Sequence, residues 1–151
     1  MIYINQVFQY TVDSKRIRII EIEDTNVFTV DIDAVSSMPK KEFYSNINTE
    51  IQLGKLLLIS DPYAKVIIDN DLTDLQILKR DEGWSIIQNY CLDHMENLLT
   101  KRGRENKINE IASASGISPT KIKKLLSRYW QRGMNKNAML PDYTNSGGKG
   151  K

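Results

Sequence analysis

The stretch from Asn106 to Arg132, NKINEIASASGISPTKIKKLLSRYWQR, constrains the fold more than any other part of the chain. Ile108, Ile111 and Ala112 fall on one face at helical spacing. Ser115-Gly116 interrupts the pattern, and glycine suits a residue that must turn with positive φ, where a Cβ would clash. Ile117 can tuck under the turn. Ser118 is a good N-cap, and Pro119 is favoured at the first helical position because its missing N–H would be unpaired there anyway. The spacing predicts two short amphipathic helices joined by a tight turn.

The second helix separates its faces. At about 100° per residue, Ile122, Leu125, Leu126 and Tyr129 form an apolar stripe. Thr120, Lys124, Ser127, Arg128 and Gln131 lie opposite, flanked by Lys121 and Lys123. Ala112, Gly116, Ile117, Ile122 and Leu125 occupy the small, turning and apolar places of a helix-turn-helix, whose second helix enters the major groove of DNA. On that pattern Lys121, Lys123, Lys124 and Arg128 supply phosphate and guanine contacts, and Thr120, Ser127 and Gln131 reach base edges. Arg102, Arg104 and Arg132 are placed for phosphates, and Ser118 joins the candidate set at the helix start. Tyr129 and Trp130 are expected to pack, with Trp130 near the sugar-phosphate rim. The plainer alternative is a helical hairpin with a solvated basic face.

The net charge of +2 hides a division. Residues 1–100 carry 9 Lys+Arg against 16 Asp+Glu, a net of −7, and residues 101–151 carry 12 against 3, a net of +9. The asymmetry puts an electrostatic footprint for nucleic acid on the C-terminal third. The acidic remainder argues against a chain that coats DNA along its whole length.

At 151 residues the chain has room for one domain or two small ones. No apolar run approaches the roughly 20 residues that span a bilayer. Met1-Ile2-Tyr3-Ile4-Asn5 has neither the basic start nor the small-residue cleavage site of a signal peptide. Cys91 is alone, so an intramolecular disulfide is excluded, and a cytoplasmic location fits. One cysteine and one histidine, His94, cannot build a Cys/His zinc site, and no metal or other cofactor is expected. A Cys91–His94 nucleophile–base pair is a weaker reading than a core thiol beside a surface imidazole. Asp31, Asp33, Asp61, Asp69, Asp71 and Asp74 lack the glycine-centred spacing of a calcium loop and read as solvated carboxylates of strand edges and turns.

Residues 1–70 read as a β-rich, barrel-like subdomain. Val7, Phe8, Tyr10 and Val12 make one run. Arg16–Glu23 alternates Arg-Ile-Arg-Ile and then Glu-Ile-Glu. Phe28, Val30 and Ile32 share a side of the next run, with Thr29 and Asp31 opposite. Three strands joined at Asp13-Ser14-Lys15 and Asp24-Thr25-Asn26 predict a meander with one buried face, curled into a small barrel. Phe43, Ile47 and Ile51 suggest a helix within Pro39–Gly54, Lys55–Ile59 a strand closing the barrel, and Lys65–Asp69 a last short strand.

Residues 73–132 read as a three-helix, helix-turn-helix subdomain. Trp84, Ile87, Cys91, Met95 and Leu98 recur every three or four residues, with Trp84 as a core anchor. Lys101-Arg102-Gly103-Arg104 reads as a basic loop before the helix pair. The remainder, 133–151, holds four of the eight glycines in 19 residues and reads as an extended basic linker ending in Gly147-Gly148-Lys149-Gly150-Lys151. The chain thus reads as a piece of a larger polypeptide. The fold class is α+β.

The string Arg128-Tyr129-Trp130-Gln131-Arg132-Gly133, continuing through Asn137-Ala138-Met139-Leu140-Pro141-Asp142-Tyr143 to Asn145-Ser146-Gly147, resembles the N-terminal region of TnsB. That family comprises the end-binding transposases of heteromeric cut-and-paste bacterial transposons, relatives of the phage Mu transposase. Weaker similarity runs back through Lys79-Arg80 and Asp61-Pro62-Tyr63 to the first strands. The resemblance implies recognition of double-stranded DNA at transposon ends. It places catalysis in a later RNase-H-like domain with an Asp/Asp/Glu triad, to which nothing here corresponds, so this chain is not expected to be an enzyme. It also implies partners: the remainder of the transposase, a companion endonuclease subunit and an AAA+ regulator. The rival readings are a free-standing helix-turn-helix transcription regulator and a protein-interaction module with a basic face.

Overall fold

The period-two runs become strands because β-branched and aromatic side chains pack well on a pleated surface. The computed structural model describes residues 1–141. In it β1 (Val7–Tyr10), β2 (Arg16–Glu23) and β3 (Asn26–Asp31) form the expected antiparallel meander. Ser14 and Asp24 adopt left-handed φ of 64° and 58° in the two turns. Val12 is left out in solvent beyond the end of β1.

The next segment divides where a single helix was expected. Residues Lys40–Phe43 form β4, antiparallel to β3, and only then does α1 (Tyr44–Gln52) begin. Gly54, with φ of 74°, turns the chain into β5 (Leu56–Ile59). That strand pairs with β1, giving the order β4-β3-β2-β1-β5. The barrel is therefore open between β4 and β5, and α1 connects those two edges. Ile47 and Ile51 of α1 pack with Phe8, Ile17, Ile19, Val27 and Leu56. Lys65–Asp69 does not form the expected strand; residues 60–73 carry only a 3-10 turn, Asp69–Asp71.

The sheet does not keep one solvated face. Val7, Ile20, Phe28, Val30 and Ile32 form one core with residues of the helices, and α1 covers the opposite face. A register shift between Ile19 and Glu21 serves both sides of β2. It inserts Ile20 as an extra residue, so that Ile17, Ile19 and Ile22 all meet the α1 side while Ile20 meets the helices. The helices and the sheet thus share a core.

Among the described residues four α-helices follow rather than three. Thr73 caps α2 (Asp74–Tyr90) in a reciprocal pair: the Gln76 N–H donates to Thr73 Oγ1 at 3.1 Å, and the Thr73 N–H donates to Gln76 Oε1 at 2.8 Å. Next come the short α3 (Met95–Leu98), α4 (Lys101–Ser115) and α5 (Pro119–Gln131). The basic stretch Lys101–Arg104 is no loop; it is the first turn of α4. Gly103 permits this. A Cβ there would lie 2.5 Å from the Asn97 carbonyl oxygen, so the glycine marks a close backbone approach and not a break.

The described part of the tail is not extended. Asn135 caps a 3-10 turn, Lys136–Met139, and Ala138, Met139 and Leu140 are buried. Met139 rests against Gly83 of α2, where an added Cβ would meet it at 3.3 Å. Three successive apolar residues anchor this segment to the helices despite the glycines around it. The basic string Gly147–Lys151 lies outside the described residues. Among the described residues no helix is long and apolar enough to cross a membrane.

Candidate nucleic-acid interface

The turn of the helix pair is built locally. Gly116 ends α4 with φ of 75°, its N–H donating to the Ala112 carbonyl at 2.9 Å. The Ser115 hydroxyl donates to Ile111 O and accepts from the Ile117 N–H. Ser118 caps α5, its Oγ accepting from the Lys121 N–H at 3.2 Å, and Pro119 is the first helical residue. Ile108 and Ile111 of α4 are buried.

In α5 the buried stripe is rotated from the expected one. Ile122, Leu126 and Trp130, four apart, are its centre, and Trp130 is only 2% exposed. The indole is therefore core and does not reach a sugar-phosphate rim. Leu125 and Tyr129 are half-buried towards α2, Leu125 beside Gly83 and Tyr129 with its ring 6.3 Å from that of Trp84. Thr120, Lys121, Lys123 and Lys124 are exposed, and Arg128 is half-buried beside them.

Ser127 and Gln131 turn inward, which corrects their expected place at base edges. Ser127 Oγ accepts from the Ser37 N–H at 2.8 Å and donates to Gln131 Oε1 at 3.1 Å. Gln131 Nε2 donates to the carbonyl oxygens of Asp31 and Ala34 at 2.9 and 2.8 Å. Both polar side chains thus fasten α5 to the loop after β3. The rotation of the apolar stripe is what brings them onto the sheet.

The arginines divide. Arg104 is buried, and its Nη1 donates to the Leu98 and Leu99 carbonyls at 3.1 and 3.4 Å, closing the end of α3. Burial holds its guanidinium below its ordinary pKa, against the nearby Glu105 charge. That placement does not fit a phosphate contact. Arg132 lies over the Tyr63 ring at 5.6 Å and donates to Leu140 O at 3.4 Å. Arg102 is exposed on the first turn of α4.

One polar hub had no signal in the alternation of β2. Arg18 is 0% exposed, although Arg-Ile-Arg-Ile suggests an outward arginine. Its guanidinium donates to both carboxylate oxygens of Asp61, at 2.5 and 2.9 Å, to Asn5 Oδ1 at 3.0 Å and to the Gln131 carbonyl at 3.2 Å. Asp61 is therefore a buried-pair partner rather than a solvated turn carboxylate. Burial alone would raise its pKa, but the Arg18 hydrogen bonds, the Tyr63 N–H and the Arg18 charge outweigh it and hold the carboxyl below the ordinary range. Asp33 and Asp69 are likewise paired, with Arg16 and Arg80. Among the described residues no three His, Cys, Asp or Glu side chains gather as a metal site. Cys91 is a core thiol that burial pushes up to about 11.

Grooves flank the exposed face of α5 on both sides. One, about 630 Å³, lies towards Leu75, Lys79 and Gly83 of α2. The other, about 500 Å³, lies towards Val35 and Ser36 of the β3–β4 loop. A helix with its cations exposed and recesses along each flank is shaped to sit against a polyanion.

Two family models match the chain: the TnsB N-terminal SH3-like domain over residues 1–62, and the TnsB second domain over residues 80–143. The five-stranded sheet with α1 falls in the first match, and α4, α5 and most of α2 in the second. The chain is also 28% identical, over 148 residues and 97% of its length, to the transposon Tn7 transposition protein TnsB of Escherichia coli. It spans 20% of that relative's length. The two matches follow one another along the chain and agree with the relative: the chain belongs to the TnsB family and corresponds to its N-terminal region.

Proposed function

We propose that this chain recognises specific duplex sites at transposon ends, with α5 as the helix that enters the major groove. The exposed row Thr120, Lys121, Lys123 and Lys124 carries the proposal, with Arg128 at its side. Its lysines suit phosphate and guanine contacts, and Thr120 suits a base edge or a phosphate. Ser118 opens α5, so the first-turn N–H groups beyond its cap point towards the same ligand. Arg102, with Lys101, is suited to backbone contacts from α4, and Arg132 to one at the far end of α5. In this reading cutting and joining strands belong to other parts of the transposase, and a companion endonuclease subunit and an AAA+ regulator are further partners.

Footprinting of the purified chain on candidate transposon-end duplexes tests the proposal. Protection of a discrete site is expected, with affinity that falls steeply with salt. If about five phosphates are neutralised, the slope of log K against log salt is roughly −4 to −5. A flat salt response, or equal protection of an unrelated duplex, overturns it.

A further inference from the structure

Resting on the DNA-binding proposal above, we infer that the β3–β4 loop, Ala34-Val35-Ser36, is a second DNA-contacting element, held against the duplex beside α5. The loop belongs to the β unit, which the helix-turn-helix pattern does not include. Its base is fixed to α5 by three hydrogen bonds: Gln131 Nε2 to Asp31 O, Gln131 Nε2 to Ala34 O, and the Ser37 N–H to Ser127 Oγ. Its tip is bare. Val35 is fully exposed at the tip of a loop whose two sides are tied down. Ser36 is exposed next to it.

The space between this tip and α5 is the groove of about 500 Å³, and its far side carries Lys123, Lys124 and Arg128 of α5, with Arg132 just past the helix end. The carboxylate nearest in sequence, Asp33, is occupied by Arg16, with Nε–Oδ2 at 2.9 Å. The recess is thus cationic on one wall and apolar with a hydroxyl on the other. A phosphodiester strand fits both walls: phosphates meet the cations, and a sugar or base edge meets the Val35 methyls. Because the loop is fastened to the helix that reads the groove, it follows the same register on the DNA without a separate docking step.

A proximity probe tests this. Cys91 is fully buried, so Val35→Cys supplies the accessible thiol for an iron–EDTA tether. Thr25→Cys, exposed in the turn at the opposite end of β3, is the control. Strand cleavage from position 35 is expected at a few adjacent nucleotides on one flank of the footprint, with none from position 25. In parallel, Val35→Asp is expected to bind about tenfold more weakly at unchanged melting temperature, and Val35→Lys to steepen the salt slope by about 1. Absence of cleavage from position 35 on DNA that the parent protects, or equal cleavage from both positions, overturns the inference and leaves the α5 proposal standing. A parent chain that protects no site overturns both.

Discussion

The side-chain amide of Gln131, at the end of α5, donates to the carbonyl oxygen of Ala34 at 2.8 Å. This bond ties the helix proposed to read DNA to the β unit that precedes it by some hundred residues. The same side chain reaches Asp31 O and accepts from Ser127, so one amide serves three partners. Its role is to position α5 rather than to touch a base.

Gln131→Ala is accordingly expected to lower stability. It leaves Asp31 O and Ala34 O without their donor, a cost of about 1–3 kcal/mol. Its effect on DNA should be a uniform loss across sequences. Affinity measured for a panel of single-base-pair variants checks this. Relaxed preference at one base pair, with melting unchanged, would return Gln131 to the base-reading face.

The Arg18–Asp61 pair predicts an acid dependence. The Asp61 pKa is depressed in the folded chain, so its contribution to stability is fully present above the unfolded value near 4 and is lost as pH falls through the folded value. The melting temperature should hold from neutral pH to about 5 and drop below about 4. Asp61→Ala should reduce that acid dependence while lowering stability near pH 7 by about 3 kcal/mol, the lower end for breaking a buried pair because Asp61 keeps some exposure. Melting curves of parent and variant from pH 7 to 3 decide it; parallel curves would refute the assignment.

What the sequence made legible was local. Gly116, Ser118 and Pro119 sit within four residues, and each has a backbone reason to be where it is, so the turn of the helix pair could be placed from them. The strands of the meander were equally plain from their alternation. Arg18 was hidden by that same alternation, which assigns a charged residue to the outside unless its partner is known, and Asp61 is 43 positions away. Ser127 and Gln131 meet partners 90 to 100 positions away, so helical periodicity alone left them on the polar face. Gly103 resembled a break because its close neighbour, the Asn97 carbonyl, appears only once α3 has folded back on α4.

Gly103, inside α4, and Gly116, which caps it, give opposed predictions. At Gly116 an added Cβ meets nothing within 4 Å, and only the left-handed φ opposes it. Gly116→Ala should cost about 1–2 kcal/mol. At Gly103 the φ is ordinary, but the Cβ would collide with backbone at 2.5 Å, which side-chain motion cannot relieve. Gly103→Ala should therefore destabilise more than Gly116→Ala, with displacement of the α3–α4 junction. Denaturant midpoints of the two variants rank them, and the reverse order would show that the junction is looser than described.

Lys124 and Leu126, two residues apart on α5, should separate binding from folding. Lys124 is exposed and lines both grooves, so Lys124→Ala should leave the melting temperature unchanged. If it meets only phosphate, all sequences weaken about equally and the salt slope falls by about 1; if it meets guanine, preference also relaxes at one base pair at a cost of roughly 1–3 kcal/mol. Leu126 is 0% exposed between Ile122 and Trp130 in the core shared with the sheet. Leu126→Ala should cost about 2–5 kcal/mol of stability and lose DNA affinity only as the folded fraction falls. Leu125→Ala should cost less than Leu126→Ala, because Leu125 is only half-buried against α2. Melting and affinity measured on the three variants test the rotation of α5 directly. Parent-like binding by Lys124→Ala, together with parent-like melting by Leu126→Ala, would mean that the opposite face of α5 meets the DNA.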